Sequence, residues 1–251
     1  MMKIIKNSDT SGNYIVTTVV GDKYLNSWKE FALPSWEKYA NKYDLGLIIV
    51  SEELISDDHP KYKKIHWQKL LILSELERKF DFVINICLLD SDILINPFSP
   101  NIFDGYKEDS VALISKRKNL PFPYHDCMKR ISFFRHKYYS ERYPLDSAIF
   151  ISTEDLYLYH DLAPQADEAC TGVMLFNVKN HASLTKKWFY KYESDVDSIT
   201  NGGEQTHVNY EIQSNCKVQW LDYKFQALWV YEMAWKYPFL YQNSDKNIIQ
   251  N

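Results

Sequence analysis

The chain has 251 residues, a formal net charge of -4, 45% hydrophobic and 25% charged residues. That balance excludes intrinsic disorder and supports one large core. The acidic excess argues against general nucleic-acid binding.

No run of about eighteen apolar residues occurs, and MMKIIKNSDTSGNY turns polar after five residues, so neither a membrane span nor a signal peptide is expected. Cys87, Cys127, Cys170 and Cys216 form no CxxC pair, which points to reduced thiols and a cytoplasmic location rather than to zinc or disulfides. Nineteen Tyr, seven Trp and thirteen Phe supply core volume and also flat surfaces that suit sugar rings and nucleobases.

In chain order, NYIVTTVVGD reads as a first strand closed by Gly21-Asp22. Trp28, Ala32, Trp36, Tyr39 and Tyr43 then recur at helical spacing, with Pro34 as a kink or restart. LGLIIV predicts a second strand and KYKKIHWQKLLILSELERKF a helix of about five turns. DFVINICLL is apolar on both faces, as parallel strands covered by helices are. SVALIS and TGVMLFNV predict two further strands, HASLTKKWFYKYESDV a helix, and KVQWLDYKF a last strand after NGGEQTHVNYEIQ. Strands alternating with helices predict an α/β fold with a mostly parallel central sheet, one domain over 1–251, and a ligand site beyond the carboxyl ends of the strands.

Asp90 and Asp92 stand at such an end, directly after ICLL. Residues i and i+2 of an extended segment face the same way, so the two carboxylates can grip one hard cation, Mg²⁺ or Mn²⁺, completed by phosphate and water. By itself the pattern also fits a turn.

The order YIVTTVVGDKY, WQKLLIL, FVINICLLDSDILINPF, TGVMLFNV and GGEQTHVN resembles the GT-A glycosyltransferases, in particular their retaining glycogenin-like and galactosyltransferase-like branch. The resemblance spans roughly Tyr14 to Asp222 and implies a nucleotide-binding half at about 13–100 and an acceptor and donor-sugar half at about 101–251. It implies transfer of a sugar from a nucleoside diphosphate sugar, a UDP-sugar by analogy, to a hydroxyl of a glycan or glycolipid, with retention and with a divalent cation. Asp90 and Asp92 would hold the metal, Asp90 lying near the ribose as well. Thr17, Thr18, Val19, Tyr24 and Ser91 would line the nucleoside side, and Thr171 and Gly172 the donor sugar. Lys69 would face the diphosphate, Glu204 would position the sugar, and Gln205 would sit near the anomeric carbon; Gly202-Gly203 ahead of them allow close approach. The same positions also fit a strand-to-helix turn, a solvated helix Lys and an acidic helix N-terminus.

One departure from the family pattern is the absence of its C-terminal His-x-x-Gly-x-x-Lys-Pro-Trp segment; His207 and Asp222 could substitute, but the ordinary reading of each is a surface helix and a strand end, and Asp92 with water and phosphate would then suffice. Two rivals remain: a sugar nucleotidyltransferase, disfavoured by the single glycine of VVGDKYLNSW, and a non-catalytic carbohydrate-binding domain, which needs no metal. From Lys116 to Arg142 there are eight Lys or Arg against Asp126 and Glu141. Lys129, Arg130 and Arg135 are therefore expected on the acceptor side, facing an acidic glycan or a glycolipid in peripheral contact with a membrane; a solvated basic helix is the alternative.

Overall fold

The computed structural model describes residues 2–139, 149–196, 200 and 203–237, with side chains omitted over 135–139. One seven-stranded sheet organises them. Its strands are β1 (Met2–Lys6), β2 (Asn13–Thr18), β3 (Gly46–Val50), β4 (Asn85–Leu89), β5 (Ser110–Ser115), β6 (Ala169–Asn177) and β7 (Lys217–Leu221), in the order β1-β3-β2-β4-β6-β5-β7. β2, β3, β4, β5 and β7 run one way; β1 and β6 are antiparallel to their neighbours. The sheet is thus mostly parallel, as expected, but half of its pairings are antiparallel.

Period-two alternation sends each strand's side chains to two cores. Tyr14, Val16, Ile86 and Leu88 face one side, against Trp67, Leu70, Leu73 and Phe189. Ile15, Cys87 and Leu89 face the other, against Trp28, Trp36 and Tyr39.

The first helical stretch is α1 (Asp22–Ser27), a π-helical turn at Trp28–Ala32, and α2 (Leu33–Lys42) with Pro34 in its first turn. Pro34 lacks the N–H an uninterrupted helix would need, and the wider turn ahead of it absorbs that loss. The second stretch starts at Ile65, later than its sequence pattern suggests: α3 (Ile65–Gln68), a 3₁₀ turn at Lys69–Leu71, then α4 (Ile72–Lys79). Farther on come α5 (Tyr124–Tyr139), α6 (Thr153–Tyr159), α7 (Val178–Lys191), α8 (Gln205–Asn215), a 3₁₀ turn at Tyr223–Gln226 and α9 (Trp229–Lys236). α5 and α9 build a satellite core from Cys127, Ile131, Phe134, Tyr231 and Ala234. No helix among the described residues is long and apolar enough to cross a membrane.

The reversed direction of β6 matters most for function. It brings the first residues of β6 to the sheet edge where β4 ends, so that Leu89 pairs with Val173 and the Asp90 N–H donates to the Gly172 carbonyl at 2.9 Å.

Candidate active site

A cavity of ≈ 690 Å³ opens at that edge, lined by the ends of β2 and β4, the start of β6, the α3 turn and the start of α8. Of the residues singled out in the sequence, Thr17, Thr18, Tyr24, Lys69, Asp90, Ser91, Asp92, Thr171, Gly172, Glu204 and Gln205 all line it. Val19 does not. Its side chain is buried against the Trp28 core and its N–H donates to Val50 at 2.9 Å, so alternation turns Val20 into the cavity instead.

Lys69 is the hub. Its Nζ lies 2.8 Å from Glu204 Oε1, 3.4 Å from Asp90 Oδ1 and 3.5 Å from the Thr171 carbonyl, a partner for each of its three donors. Burial works against the Lys69 charge, yet Glu204 and Asp90 outweigh it and raise the ammonium's pKa well above its ordinary value. Glu204 shows the mirror image. Burial would raise its pKa, but Lys69 and the Thr171 hydroxyl, which donates to Oε1 at 2.7 Å, hold it below the usual carboxylate value.

Glu204 precedes α8 but makes no side-chain capping bond to it, so the carboxylate serves the cavity and not the helix end. Asn209, one turn on, is fully buried and ties α8 to β6: it accepts from the Ala169 N–H at 2.8 Å and donates to the Ala169 carbonyl at 2.9 Å. Gly203 lines the cavity beside them, while Gly202 lies outside the described residues.

Asp90 is half exposed, at 51% of its side chain. Partial burial raises its pKa, Lys69 pulls it down, and the charges of Glu204 and Asp92 push it up again. Gly172 permits its position: a Cβ there would stand 2.8 Å from Gln226 Nε2 and 3.1 Å from Asp90 Oδ2. Lys69 is therefore shared by two carboxylates, and the charge of Asp92 adds to theirs. Asp90 and Asp92 stand on a turn, not on an extended segment, the Ile93 N–H donating to the Asp90 carbonyl at 3.2 Å.

His207 packs among Trp67, His160 and Tyr192, with ring centroids 5.6, 5.3 and 4.8 Å away, and does not line the cavity. Asp222 caps the 3₁₀ turn, accepting from the Lys224 N–H at 2.8 Å. Neither is placed as a ligand.

Sequence reasoning missed a second charged group in the same cavity. Glu168, fully buried, lines it; Lys116 Nζ is 2.6 Å from Oε1, Arg117 Nη2 is 3.2 Å from Oε2, and Gln205 Nε2 donates to Oε1 at 2.8 Å. Lys116 and Arg117 belong to the basic stretch read as acceptor-side, but they turn inward because Ser115 pairs with Ala169, next to Glu168. Only an acid-base coincidence some fifty residues apart would have signalled them.

Lys129 and Arg130 of the same stretch lie elsewhere. Lys129 is exposed and pairs with Asp126 at 3.5 Å. Arg130 donates to the carbonyls of Ala234 and Trp235 and stacks 4.5 Å over the Trp235 ring, which fastens α5 to α9. Neither lines the cavity. The side chain of Arg135 lies outside the described residues.

No protein-family model matches the chain, and no curated protein matches it in sequence. In three dimensions it is similar to a glycosyltransferase involved in the glycosylation of the major capsid of PBCV-1, at 13% identity over 84% of this chain and 81% of that one, with a TM-score of 0.49. It is also similar to mouse xyloside xylosyltransferase 1, at 13% identity over 92% of each chain and a TM-score of 0.43. Superpositions of this depth carry over no residue role.

Proposed function

We propose that the chain is a GT-A-type glycosyltransferase that moves a sugar from a nucleoside diphosphate sugar, with UDP as the nucleotide, to a hydroxyl of a glycan or glycolipid. The observation that carries this reading is the convergence of Asp90, Asp92, Lys69 and Glu204 in one cavity beyond the carboxyl ends of β2 and β4.

Thr17, Thr18, Tyr24 and Ser91 would bind the nucleoside, and Thr171 and Gly172, which line the cavity beside Asp90, would meet the donor sugar. Asp90 and Asp92 would hold Mn²⁺ or Mg²⁺, which supplies charge neutralisation for the departing diphosphate. Lys69 keeps its proton and locks both Asp90 and Glu204 in place, so the carboxylates meet the donor already oriented. Glu204, its rotation stopped by Lys69 and Thr171, would hold a hydroxyl of the donor sugar. Gln205, its neighbour on α8, would meet the anomeric carbon, an arrangement consistent with retention.

The test is a panel of nucleotide sugars incubated with and without Mn²⁺, read as release of free nucleoside diphosphate. UDP-sugar turnover that stops in chelator and falls at least a hundredfold in Asp92→Ala is the expected result. Turnover by Asp92→Ala in chelator at near the wild-type rate would overturn it. A carbohydrate-binding domain without activity would bind glycan equally well as the wild type and as Asp92→Ala, and would release no nucleotide.

A further inference from the structure

We propose that Glu168 is a positioning residue that fixes the Gln205 amide with its carbonyl oxygen, not its amino group, turned to the cavity. What that oxygen does rests on the glycosyltransferase reading above; which end of the amide faces inward rests on geometry alone.

Glu168 is 0% exposed, and a carboxylate so deep needs partners on both oxygens. Lys116 meets Oε1 at 2.6 Å, while Arg117 meets Oε2 through Nη2 at 3.2 Å and through Nε at 3.3 Å. The Lys116 N–H donates to the Glu168 carbonyl at 3.1 Å as well, so backbone and side chains hold the residue together. Arg117 is anchored in turn, its Nη1 donating to the Tyr124 hydroxyl at 3.1 Å. A group held this firmly is a fixed reference for whatever touches it.

Gln205 touches it, with Nε2 2.8 Å from Glu168 Oε1. An amide has a donor end and an acceptor end, whereas a carboxylate flanked by two cations only accepts. The reversed amide would set two oxygens against each other at that distance, so the amino end must face Glu168. Gln205 Oε1 accepts no hydrogen bond from any described residue, although the side chain lines the cavity. The Gln205 backbone is pinned separately, its carbonyl accepting from Asn209 Nδ2 at 2.9 Å.

The consequence is chemical. When a sugar loses its diphosphate, positive charge develops at the anomeric carbon. An oxygen aimed there stabilises that charge and an amino group opposes it. Glu168 never touches the reacting atoms; it decides which end of Gln205 does.

Heteronuclear NMR of isotope-labelled glutamine side chains, with the Gln205 signal assigned by its loss in Gln205→Ala, tests the orientation without any activity. The expected result is a Gln205 amide proton shifted downfield and protected from exchange, with both properties lost in Glu168→Gln and Glu168→Asp. Glu168→Asp keeps a charge for Lys116 and Arg117 but withdraws it by one methylene, and it serves where Glu168→Gln does not fold. A Gln205 amide that exchanges like an exposed side chain would overturn the proposal whatever the activity.

With a UDP-sugar that the wild type turns over, Glu168→Asp should lower kcat roughly tenfold to a hundredfold, with KM changed less than about twofold. Folded Glu168→Asp with wild-type kcat would overturn the positioning role. If the wild type releases nucleotide from no donor, the glycosyltransferase reading fails, and the NMR result still decides whether Glu168 orients Gln205.

Discussion

Lys69 Nζ stands 2.8 Å from Glu204 Oε1, joining a turn before α4 to the start of α8 across 135 positions of sequence, and both side chains are nearly dry, at 11% and 7% exposure. The distance in sequence means that the pair forms only when the sheet is complete. Removing one member strands the other, and a lone buried charge costs more than the pair gives.

Lys69→Met should therefore destabilise the protein by about 3–5 kcal/mol in urea unfolding, and Glu204→Gln in the same chain should restore part of the loss. The pH dependence follows the shifts. Glu204, lowered, contributes stability above the ordinary carboxylate range that is lost as pH falls through its folded value. Lys69, raised, contributes stability below the ordinary lysine range that is lost as pH rises through its folded value. The double variant should flatten both limbs; unchanged limbs would assign them to other groups.

Gly172→Ala should weaken cation and donor binding with little effect on stability. The new methyl would come within 2.8 Å of Gln226 Nε2 and 3.1 Å of Asp90 Oδ2, and the free end of Gln226 yields easily while Asp90 must leave its place. Titration calorimetry with Mn²⁺ and UDP reads this directly. Wild-type affinity would separate Asp90 from the binding step.

His207 gives the acid side a second component. Burial first, then the nearby His160 and Lys191, lower its pKa from 6.5 to about 4. His160, facing it, is also lowered by burial, with Glu168 and Asp161 pulling the other way. A depressed folded value means stability present above about pH 6.5 and lost as pH falls toward 4, on the order of 3 kcal/mol at roughly 1.4 kcal/mol per unit. His207→Phe, which keeps a ring against Trp67 and Tyr192, should flatten the urea midpoint between those pH values; an unaltered slope would place the titration elsewhere.

The acceptor-side proposal for the basic helix is best probed at Lys129, because Arg130 is committed to Trp235 and its reversal would loosen α9. Lys129→Glu should weaken acceptor use, and binding to anionic vesicles if the acceptor is a glycolipid, by a few-fold at low salt without changing nucleotide release. Transfer and vesicle binding both indifferent to the charge reversal and to salt would leave α5 a solvated face that braces α9.

Local periodicity made much of this protein legible from its sequence. The alternation of Tyr14, Ile15 and Val16, the doubly apolar run Ile86 to Leu89, and Asp90 and Asp92 at its end all follow from short-range geometry: a strand faces two ways, and carboxylates do not sit unpartnered inside it. The positions of Lys69, Glu204 and Gln205 were legible as motifs, but their partnership was not. β1 was missed because MKIIK is a short edge strand whose only signal is its pairing with β3. The direction of β6 was missed because an apolar strand reads the same either way, and that reversal is what sets Gly172 against Asp90. Charge was the most misleading guide. Lys116, Arg117 and Arg130 look alike in sequence, yet two turn inward to Glu168 and one lies on Trp235. A buried ion pair is specified by strand register and helix packing between segments far apart in the chain, and only the folded sheet supplies both.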